Sequence, residues 1–128
     1  MRALLLMAHG SRRAEANDDL RHVAEQIDAR GGYKIVQVSF LELAEPSIPE
    51  GGELCVKAGA TEVIMLPYFL SPGVHMVRDM KELHAKLVAQ FPAVHFYLAA
   101  PLGPHPYLLE IIEQRANEAV GMDVSHNS

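Results

Sequence analysis

Four short apolar runs alternate with four longer stretches in which apolar residues recur every three or four positions. Short continuous apolar runs are typical of strands buried on both faces of a parallel sheet, and the longer periodic stretches are typical of amphipathic helices. The repeated order of strand and helix predicts an α/β fold, a four-stranded parallel sheet flanked by helices on both faces. A chain of 128 residues can bury such a core without disulfides.

The predicted elements follow one another along the whole chain. We expect strands at residues 2–8, 33–41, 62–66 and 94–99, and helices at residues 13–30, 47–59, 75–90 and 107–120. No low-complexity stretch or linker divides the sequence, so residues 1–120 are expected to form a single domain. Residues 121–128 are expected to be a polar, disordered tail.

The second predicted helix begins with a capping box. Ser47 and Glu50 have the required spacing, and Pro49 is tolerated in the first turn. Gly51 and Gly52 follow directly, and each glycine inside a helix costs about 1 kcal/mol. We therefore expect this helix to be short, and either frayed at its start or packed very close to a neighbouring element.

The composition excludes several classes of protein. The formal net charge of −5 argues against general nucleic-acid binding, and no apolar run approaches the roughly 18 residues of a membrane helix. The single cysteine, Cys55, excludes an intramolecular disulfide and favours a reducing compartment, so we expect a cytoplasmic protein. Because it lies between Leu54 and Val56, Cys55 is expected to be a small buried hydrophobic residue.

Three potential ligands follow three of the predicted strands. His9 comes directly after the first strand, Glu42 follows the second, and His75 follows the loop after the third. The carboxyl ends of parallel strands meet at one edge of the sheet, where open α/β sheets bind ligands. Two imidazoles and a carboxylate suit cobalt, nickel, iron or zinc, and they can also accept protons. The sequence therefore predicts a metal or proton site at this edge.

Most of the remaining histidines are expected to have no part in this site. The two that fall in the middle of predicted helices are expected to be solvated, and the one that alternates with apolar residues in the fourth strand is expected to be structural. A histidine in the predicted tail is expected to have no specific role. In the order just given, these residues are His22, His84, His95 and His126.

Four short motifs occur in order along residues 2–115. They are His9-Gly10-Ser11-Arg12, Phe40-Leu41-Glu42, residues 67–75 with Asp79 four residues further on, and residues 101–106. Each motif alone is a weak signal, but four in register are specific. Together they resemble the small sirohydrochlorin chelatases, the single-half members of the class II chelatase group. The sequence departs from that pattern after Asp79, where Met80-Lys81 replace isoleucine-proline.

The resemblance implies a lyase that inserts a divalent metal ion into sirohydrochlorin in tetrapyrrole or cobalamin biosynthesis. Cobalt is the expected metal, with nickel or iron as alternatives; the metal is a substrate, and no organic cofactor is expected. The resemblance also implies that His9 and His75 bind the metal. It makes Glu42 the carboxylate of the site, which either binds the metal or takes protons, and it gives His105 a role either behind the metal ligands or at the rim of the substrate.

An anionic macrocycle needs a basic rim and an apolar wall. We expect the rim to include Ser11, Arg12, Arg13 and Arg78. We expect the wall to include Tyr68, Phe69, Leu70 and Val74, although Phe69 and Leu70 are equally good candidates for the core. Relatives of about twice this length carry two such halves in one chain, so the resemblance also implies a homodimer with the cleft between the two copies.

Two other functions remain open. A non-catalytic carrier of a metal ion or of a metallo-tetrapyrrole would need the same ligands and the same basic rim. Two histidines and one acid leave open positions on a metal, which favours transfer over storage. A phosphoryl acceptor at His9 is disfavoured, because the sequence has no glycine-rich GxxxxGK phosphate loop.

Overall fold

The computed structural model describes residues 1–122. These residues form, in order, β1 (Arg2–Ala8), α1 (Ala14–Ala29), β2 (Ile35–Phe40), α2 (Ile48–Lys57), β3 (Glu62–Pro67), α3 (Val74–Gln90), β4 (His95–Leu98) and α4 (Pro106–Met122). All strand pairings are parallel, and the order across the sheet is β2-β1-β3-β4. The α/β prediction is therefore confirmed, with α1 on one face of the sheet and α2 and α3 on the other.

The predicted boundaries agree with the observed ones to within two residues at every element. The last helix extends to Met122 and so includes the first two residues of the segment that was expected to be a tail. Residues 123–128, with His126, lie outside the described residues. None of the helices within residues 1–122 has both the length and the hydrophobicity that crossing a membrane requires.

The central strand, β1, contributes to two separate cores. Leu5 and Met7 pack in the cluster beneath α2 and α3, whereas Leu4 and Leu6 pack with Leu20 of α1 on the opposite face. Both sets of side chains are buried. This two-sided burial explains why the sequence of β1 is continuously apolar and does not alternate with polar residues.

The capping box at the start of α2 is present as the sequence predicts. The backbone N–H of Glu50 donates to Ser47 Oγ (3.2 Å), and the Glu50 carboxylate accepts from the backbone N–H of Ser47 (3.0 Å). The backbone N–H of Ser47, and to a lesser extent its hydroxyl, lowers the pKa of Glu50 below its usual value. Of the two alternatives for this helix, the close packing is observed, since Gly51 and Gly52 are both buried.

Replacing Gly51 should destabilise the fold more than replacing Gly52. A Cβ at Gly51 would lie 2.8 Å from Ser39 Cβ, which is fixed to the backbone of β2. A Cβ at Gly52 would instead meet the end of the Leu87 side chain at 2.7 Å. Alanine gains about 1 kcal/mol of helix propensity at either position. In urea unfolding we expect Gly52→Ala to be nearly neutral and Gly51→Ala to cost about 1–3 kcal/mol. Equal stabilities would contradict this packing.

The only cysteine of the chain, Cys55, lies in α2 and is fully buried, as expected. It belongs to the cluster of core residues that includes Met65 of β3 and Leu87 of α3. Burial raises the pKa of the Cys55 thiol to about 12. The thiol is therefore neutral at physiological pH and packs as a small apolar group.

The last helix, α4, is packed differently from the other three. Its side chains from 106 to 121 are exposed, apart from the half-buried Leu108. Within residues 1–122 it packs extensively against no other strand or helix. As a result, α1 covers its face of the sheet over β2 and β1, and no helix within residues 1–122 covers that face over β3 and β4, where Ile64 and Leu66 are half-buried.

Candidate metal site

The ends of β1 and β2 stay together beyond the strands themselves. The backbone N–H of Leu41 donates to the carbonyl of Ala8 (2.8 Å), and that of Glu42 donates to the carbonyl of His9 (3.0 Å). These bonds continue the parallel register of the two strands. Because the backbone is held at both positions, the side chains of His9 and Glu42 leave the same edge of the sheet side by side.

The two side chains are in direct contact. His9 Nε2 lies 3.3 Å from Glu42 Oε1, and about half of each side chain is exposed, 52% and 56% respectively. His9 Nδ1 lies 3.3 Å from the carbonyl oxygen of Gly10, so a proton on Nδ1 has an acceptor there. In that tautomer Nε2 directs its lone pair at the carboxylate. Two such atoms attract each other only through a proton or a metal ion placed between them.

The separation of these atoms fits a shared metal ion. Two ligand atoms that each lie about 2.1 Å from one divalent ion are about 3.0–3.4 Å apart for ligand angles between octahedral and tetrahedral. The 3.3 Å between His9 Nε2 and Glu42 Oε1 falls within this range. The pair can therefore supply two ligands and leave the remaining coordination positions open.

Gly10 makes the contact between His9 and Glu42 possible. Its φ of +98° lies in the left-handed region, and a Cβ built there would overlap the carbonyl oxygen of Glu42. The same Cβ would lie 3.4 Å from Phe40 Cβ. The loop after β1 thus passes directly over the backbone that follows β2, and only glycine combines this conformation with so close an approach.

Asn17 fixes the same loop from the side of α1. Its Oδ1 accepts from the backbone N–H of Ser11 (3.0 Å), and its Nδ2 donates to the carbonyl of Ser11 (2.8 Å). The Asn17 side chain is buried. The sequence interpretation missed Asn17, although one signal was present. Asparagine is a poor helix former, and this one lies three residues before Leu20, on the apolar stripe of α1.

His75 lies in the first turn of α3, where it was predicted, but its partner is Arg78. His75 Nδ1 lies 2.7 Å from Arg78 Nη2. A guanidinium group only donates hydrogen bonds, so Nδ1 accepts and the neutral ring carries its proton on Nε2. Among residues 1–122 no group of three or more His, Cys, Asp or Glu side chains could hold a metal ion. The structure therefore brings His9 and Glu42 together and does not gather His75 with them.

The basic residues predicted for the rim are all at the surface. Arg12, Arg13 and Arg78 are exposed, and none of them forms an ion pair with a carboxylate in the described part of the chain. Ser11 has a local structural role, since its hydroxyl accepts from the backbone N–H of Arg13 (3.0 Å). The three guanidinium groups are thus available to an anionic ligand.

The four residues predicted for the apolar wall separate into two groups. Tyr68, Leu70 and Val74 are exposed. Phe69 packs against the core between the sheet and α3, which is the alternative that the sequence left open. Tyr68 also lines a groove of about 430 Å³ that includes Gly10 and Ser11, next to His9.

His84 does not behave as expected. Its Nε2 lies 2.8 Å from the carbonyl oxygen of Phe96, and the side chain is partly buried, so the prediction that His84 is solvated is wrong. The ring bridges α3 and β4, because the close packing of these elements places a backbone acceptor within its reach.

The remaining histidines of the described chain have local contacts. His22 is exposed on α1, as predicted. The ring of His95 stacks on that of Tyr97, with 4.3 Å between centroids, in agreement with a structural role. His105 Nδ1 accepts from the backbone N–H of Tyr107 (3.1 Å) at the start of α4, so its ring contributes to the beginning of that helix.

Comparison with known proteins identifies the family. The CbiX family model matches residues 3–119. The chain belongs to the CbiX family. The resemblance predicted from the four motifs is therefore confirmed.

Among CbiX relatives, the chloroplastic sirohydrochlorin ferrochelatase of Arabidopsis thaliana is 39% identical over 112 residues, which are 88% of this chain and 50% of that protein. A sirohydrochlorin cobaltochelatase of Priestia megaterium is 35% identical over 125 residues, 98% of this chain and 40% of that protein. The chain thus spans about half the length of these curated relatives or less.

A crystal structure with a similar fold contains a metal. The sirohydrochlorin chelatase SirB of Bacillus subtilis subspecies spizizenii, in complex with cobalt, matches with a TM-score of 0.83 and 30% identity. The match covers 91% of this chain and 50% of SirB. The chain therefore has the fold of about half of SirB.

Proposed function

We propose that the protein is a metal chelatase, a lyase that inserts a divalent metal ion into sirohydrochlorin in tetrapyrrole biosynthesis. The observation that carries the proposal is the 3.3 Å pairing of His9 Nε2 with Glu42 Oε1 at the open edge of the sheet. Two protein ligands leave open positions, which suits an ion that must be passed on. Membership of the CbiX family supports the choice of substrate, since the relatives named above are sirohydrochlorin chelatases.

The proposed metal is cobalt, with nickel or iron as alternatives. An imidazole and a carboxylate suit all three ions, and selection among them in cells follows availability as well as affinity. The cobaltochelatase of Priestia megaterium and the cobalt complex of SirB support cobalt, whereas the Arabidopsis relative is a ferrochelatase. In this proposal the metal is a substrate, and the reaction needs no organic cofactor.

In this proposal the side chains of His9 and Glu42 first bind the metal ion and then bind a proton. Insertion of a divalent metal releases the pyrrole N–H protons of the macrocycle. When the metal leaves, one of the two released protons takes its place between His9 Nε2 and Glu42 Oε1, where the 3.3 Å separation places a donor and an acceptor close together, and the other passes to water at this exposed edge. Glu42 is thus both a ligand of the incoming metal and a partner for the proton that replaces it.

Arg78 connects binding of the macrocycle to His75. Sirohydrochlorin carries several carboxylates, and a carboxylate is a stronger partner for a guanidinium than a neutral imidazole. A carboxylate that draws Arg78 away frees His75 Nδ1, which is 2.7 Å from Arg78 Nη2 in the absence of substrate. His75 then becomes a metal ligand after the macrocycle is bound. Arg12 and Arg13 bind other carboxylates of the rim.

We also propose that the active form is a homodimer of single domains formed by residues 1–120. The site in one chain is open, since Tyr68, Leu70 and Val74 leave apolar surface exposed around it. A two-fold related copy would cover this surface and enclose a macrocycle between the two sheet edges. A cytoplasmic location is proposed as well, because the one cysteine is unpaired.

Catalytic turnover distinguishes a chelatase from a carrier. With cobalt and sirohydrochlorin in large excess over protein, we expect the absorption bands of the metal-free macrocycle to disappear through many turnovers per chain, faster than without protein. A carrier would change the spectrum only up to one equivalent and then stop. That outcome would show that the protein is a carrier and would contradict the proposed chelatase activity.

Two variants of the same loop provide the control for this assay. Glu42→Gln removes the charged ligand next to His9 and should lower the rate strongly. Glu45→Gln changes an exposed carboxylate three residues away that forms no ion pair within the described chain, and it should keep the full rate. Equal rates for the two variants would exclude Glu42 from the site.

A further inference from the structure

The apolar stripe of α4 has no partner within its own chain. Six apolar residues recur along the helix at the spacing of a single face, while Glu110, Gln114 and Glu118 lie on the opposite side. Ile112, at the middle of the stripe, is 63% exposed. Most helices in proteins are stabilised by packing of such a face. The stripe consists of Leu108, Leu109, Ile112, Ala116, Ala119 and Val120.

A half-buried strip of sheet without a helix over it lies next to α1. The register of the strands places Ile64 and Leu66 of β3 on the same side as Leu4 and Leu6, and it pairs Ile64 with Tyr97 of β4. We call the surface formed by Ile64, Leu66 and Tyr97 the open face. Tyr97 is 43% exposed. Together with Leu4 and Leu6, the β3 residues line a groove of about 410 Å³.

The segment between β4 and α4 is anchored at the loop after β3, and α4 packs extensively on no strand within residues 1–122. The backbone N–H of Gly103 donates to the carbonyl of Phe69 (3.1 Å), and a Cβ at Gly103 would overlap the carbonyl of Leu70. This anchors the segment against the loop after β3. Pro104 and Pro106 then restrict the backbone directly before the helix.

We propose that two copies of the chain exchange α4, so that α4 of each copy packs on the open face of the other. Each copy then donates one helix and receives one, which is a self-complementary two-fold contact. The exchange covers the groove of one chain with α4 of the other, which packs extensively against no strand or helix of its own chain within residues 1–122. It rests on the homodimer proposed above, but not on the chelatase activity.

Charge and position both favour α4 as the occupant of the groove. Glu113 lies beside the apolar stripe of α4, where it can approach the rim of the groove, and Glu110 and Glu118 add negative charge on the opposite side of the helix. The rim of the groove carries Arg30, which forms no ion pair among residues 1–122. Tyr68 lines both this groove and the one beside His9, so an exchanged helix would lie next to the wall of the metal site.

The first test is the mass in solution. Light scattering should give twice the 14.1 kDa chain mass for the unmodified protein and for Gln114→Asp, and 14.1 kDa for Ile112→Asp. Ile112 is exposed in the single chain, so the new charge does not disturb its fold, whereas in the exchanged dimer it would be buried. Gln114 is the matched control on the opposite side of α4. A monomeric unmodified protein would overturn both the dimer and the exchange, and a dimeric Ile112→Asp would overturn the exchange alone.

The second test is cross-linking with a short bis-maleimide, which does not need the strict geometry of a disulfide. When chains with Ile112→Cys are co-expressed with chains carrying Tyr97→Cys, we expect covalent dimers that contain one chain of each kind. Gln114→Cys in place of Ile112→Cys should give none. Cys55 is buried, and its pKa of about 12 keeps it unreactive.

The alternative arrangements of α4 give different products. If α4 folded back onto its own sheet, the double variant with Ile112→Cys and Tyr97→Cys would cross-link within single chains only. If two α4 helices paired with each other, Ile112→Cys alone would give covalent dimers. Either product would overturn the exchange. Because neither test measures metal insertion, failure of the chelatase assay and failure of the exchange are distinguishable.

Discussion

His9→Ala and His75→Ala are each expected to reduce the rate of metal insertion by about 100-fold or more while leaving the fold intact. Both side chains are exposed at the sheet edge, so neither loss opens a packed cavity. The two variants should differ in cobalt binding without the macrocycle. His9→Ala loses a ligand of the preformed pair with Glu42 and should bind cobalt poorly. His75→Ala should bind cobalt normally, because His75 is hydrogen bonded to Arg78 until substrate binds.

The matched control for these variants is His22→Ala. His22 is exposed on α1, and its nearest charged partner, Glu25, is 3.9 Å away. His84 is unsuitable, since its bond to the carbonyl of Phe96 contributes to the contact between α3 and β4. Initial rates, cobalt titrations and thermal unfolding should be measured on all three variants. A loss of turnover in His22→Ala as large as that in His75→Ala would refute the assignment of the site.

Gly10→Ala is expected to cause the largest loss of stability of any variant considered. The new Cβ would force apart the loop after β1 and the backbone of Glu42, at a position where φ is +98°. We expect the free energy of unfolding to fall by about 3 kcal/mol or more. The displacement would also separate His9 from Glu42, so that cobalt binding should weaken together with stability. Urea unfolding and cobalt titration measure the two effects.

Gly31→Ala is the control that separates the cost of the left-handed backbone from the cost of the contact between Gly10 and Glu42. Gly31 also has a positive φ, +78°, but a Cβ there has no neighbouring atom within 4 Å. It should therefore cost only the left-handed conformation, about 1–2 kcal/mol, and leave cobalt binding unchanged. Equal losses of stability in Gly10→Ala and Gly31→Ala would mean that the backbone of Glu42 is not in contact with Gly10.

The order and limits of the elements could be predicted because they depend on local periodicity. The run in β1 is continuously apolar, since the strand is buried on both faces, and the capping box of Ser47 and Glu50 lies within four residues. The edge at which His9 and Glu42 meet also follows from parallel strands. The 3.3 Å contact between His9 and Glu42 could not be predicted in this way. It depends on two backbone hydrogen bonds beyond the strands and on the close approach of Gly10 to the backbone of Glu42.

Side-chain bonds between distant segments were not predictable from periodicity. A helical pattern shows which face of α3 is polar, but not that the carbonyl of Phe96 lies within reach of His84. The pairing of His75 with Arg78 was not predicted either, although residues three apart on a helix are neighbours. The exposure of α4 was hidden for a different reason. Its amphipathic pattern predicts that it packs on something, but not on which chain.

The burial of Cys55 has a consequence for a protein that is proposed to insert transition metals into a macrocycle. Thiolate sulfur binds copper(I) and zinc far more strongly than an imidazole and a carboxylate do, and it is readily oxidised by redox-active ions. With its pKa raised to about 12, the only thiol of the chain stays protonated and enclosed by the core. The protein therefore presents no thiolate at its surface on which a soft metal could accumulate.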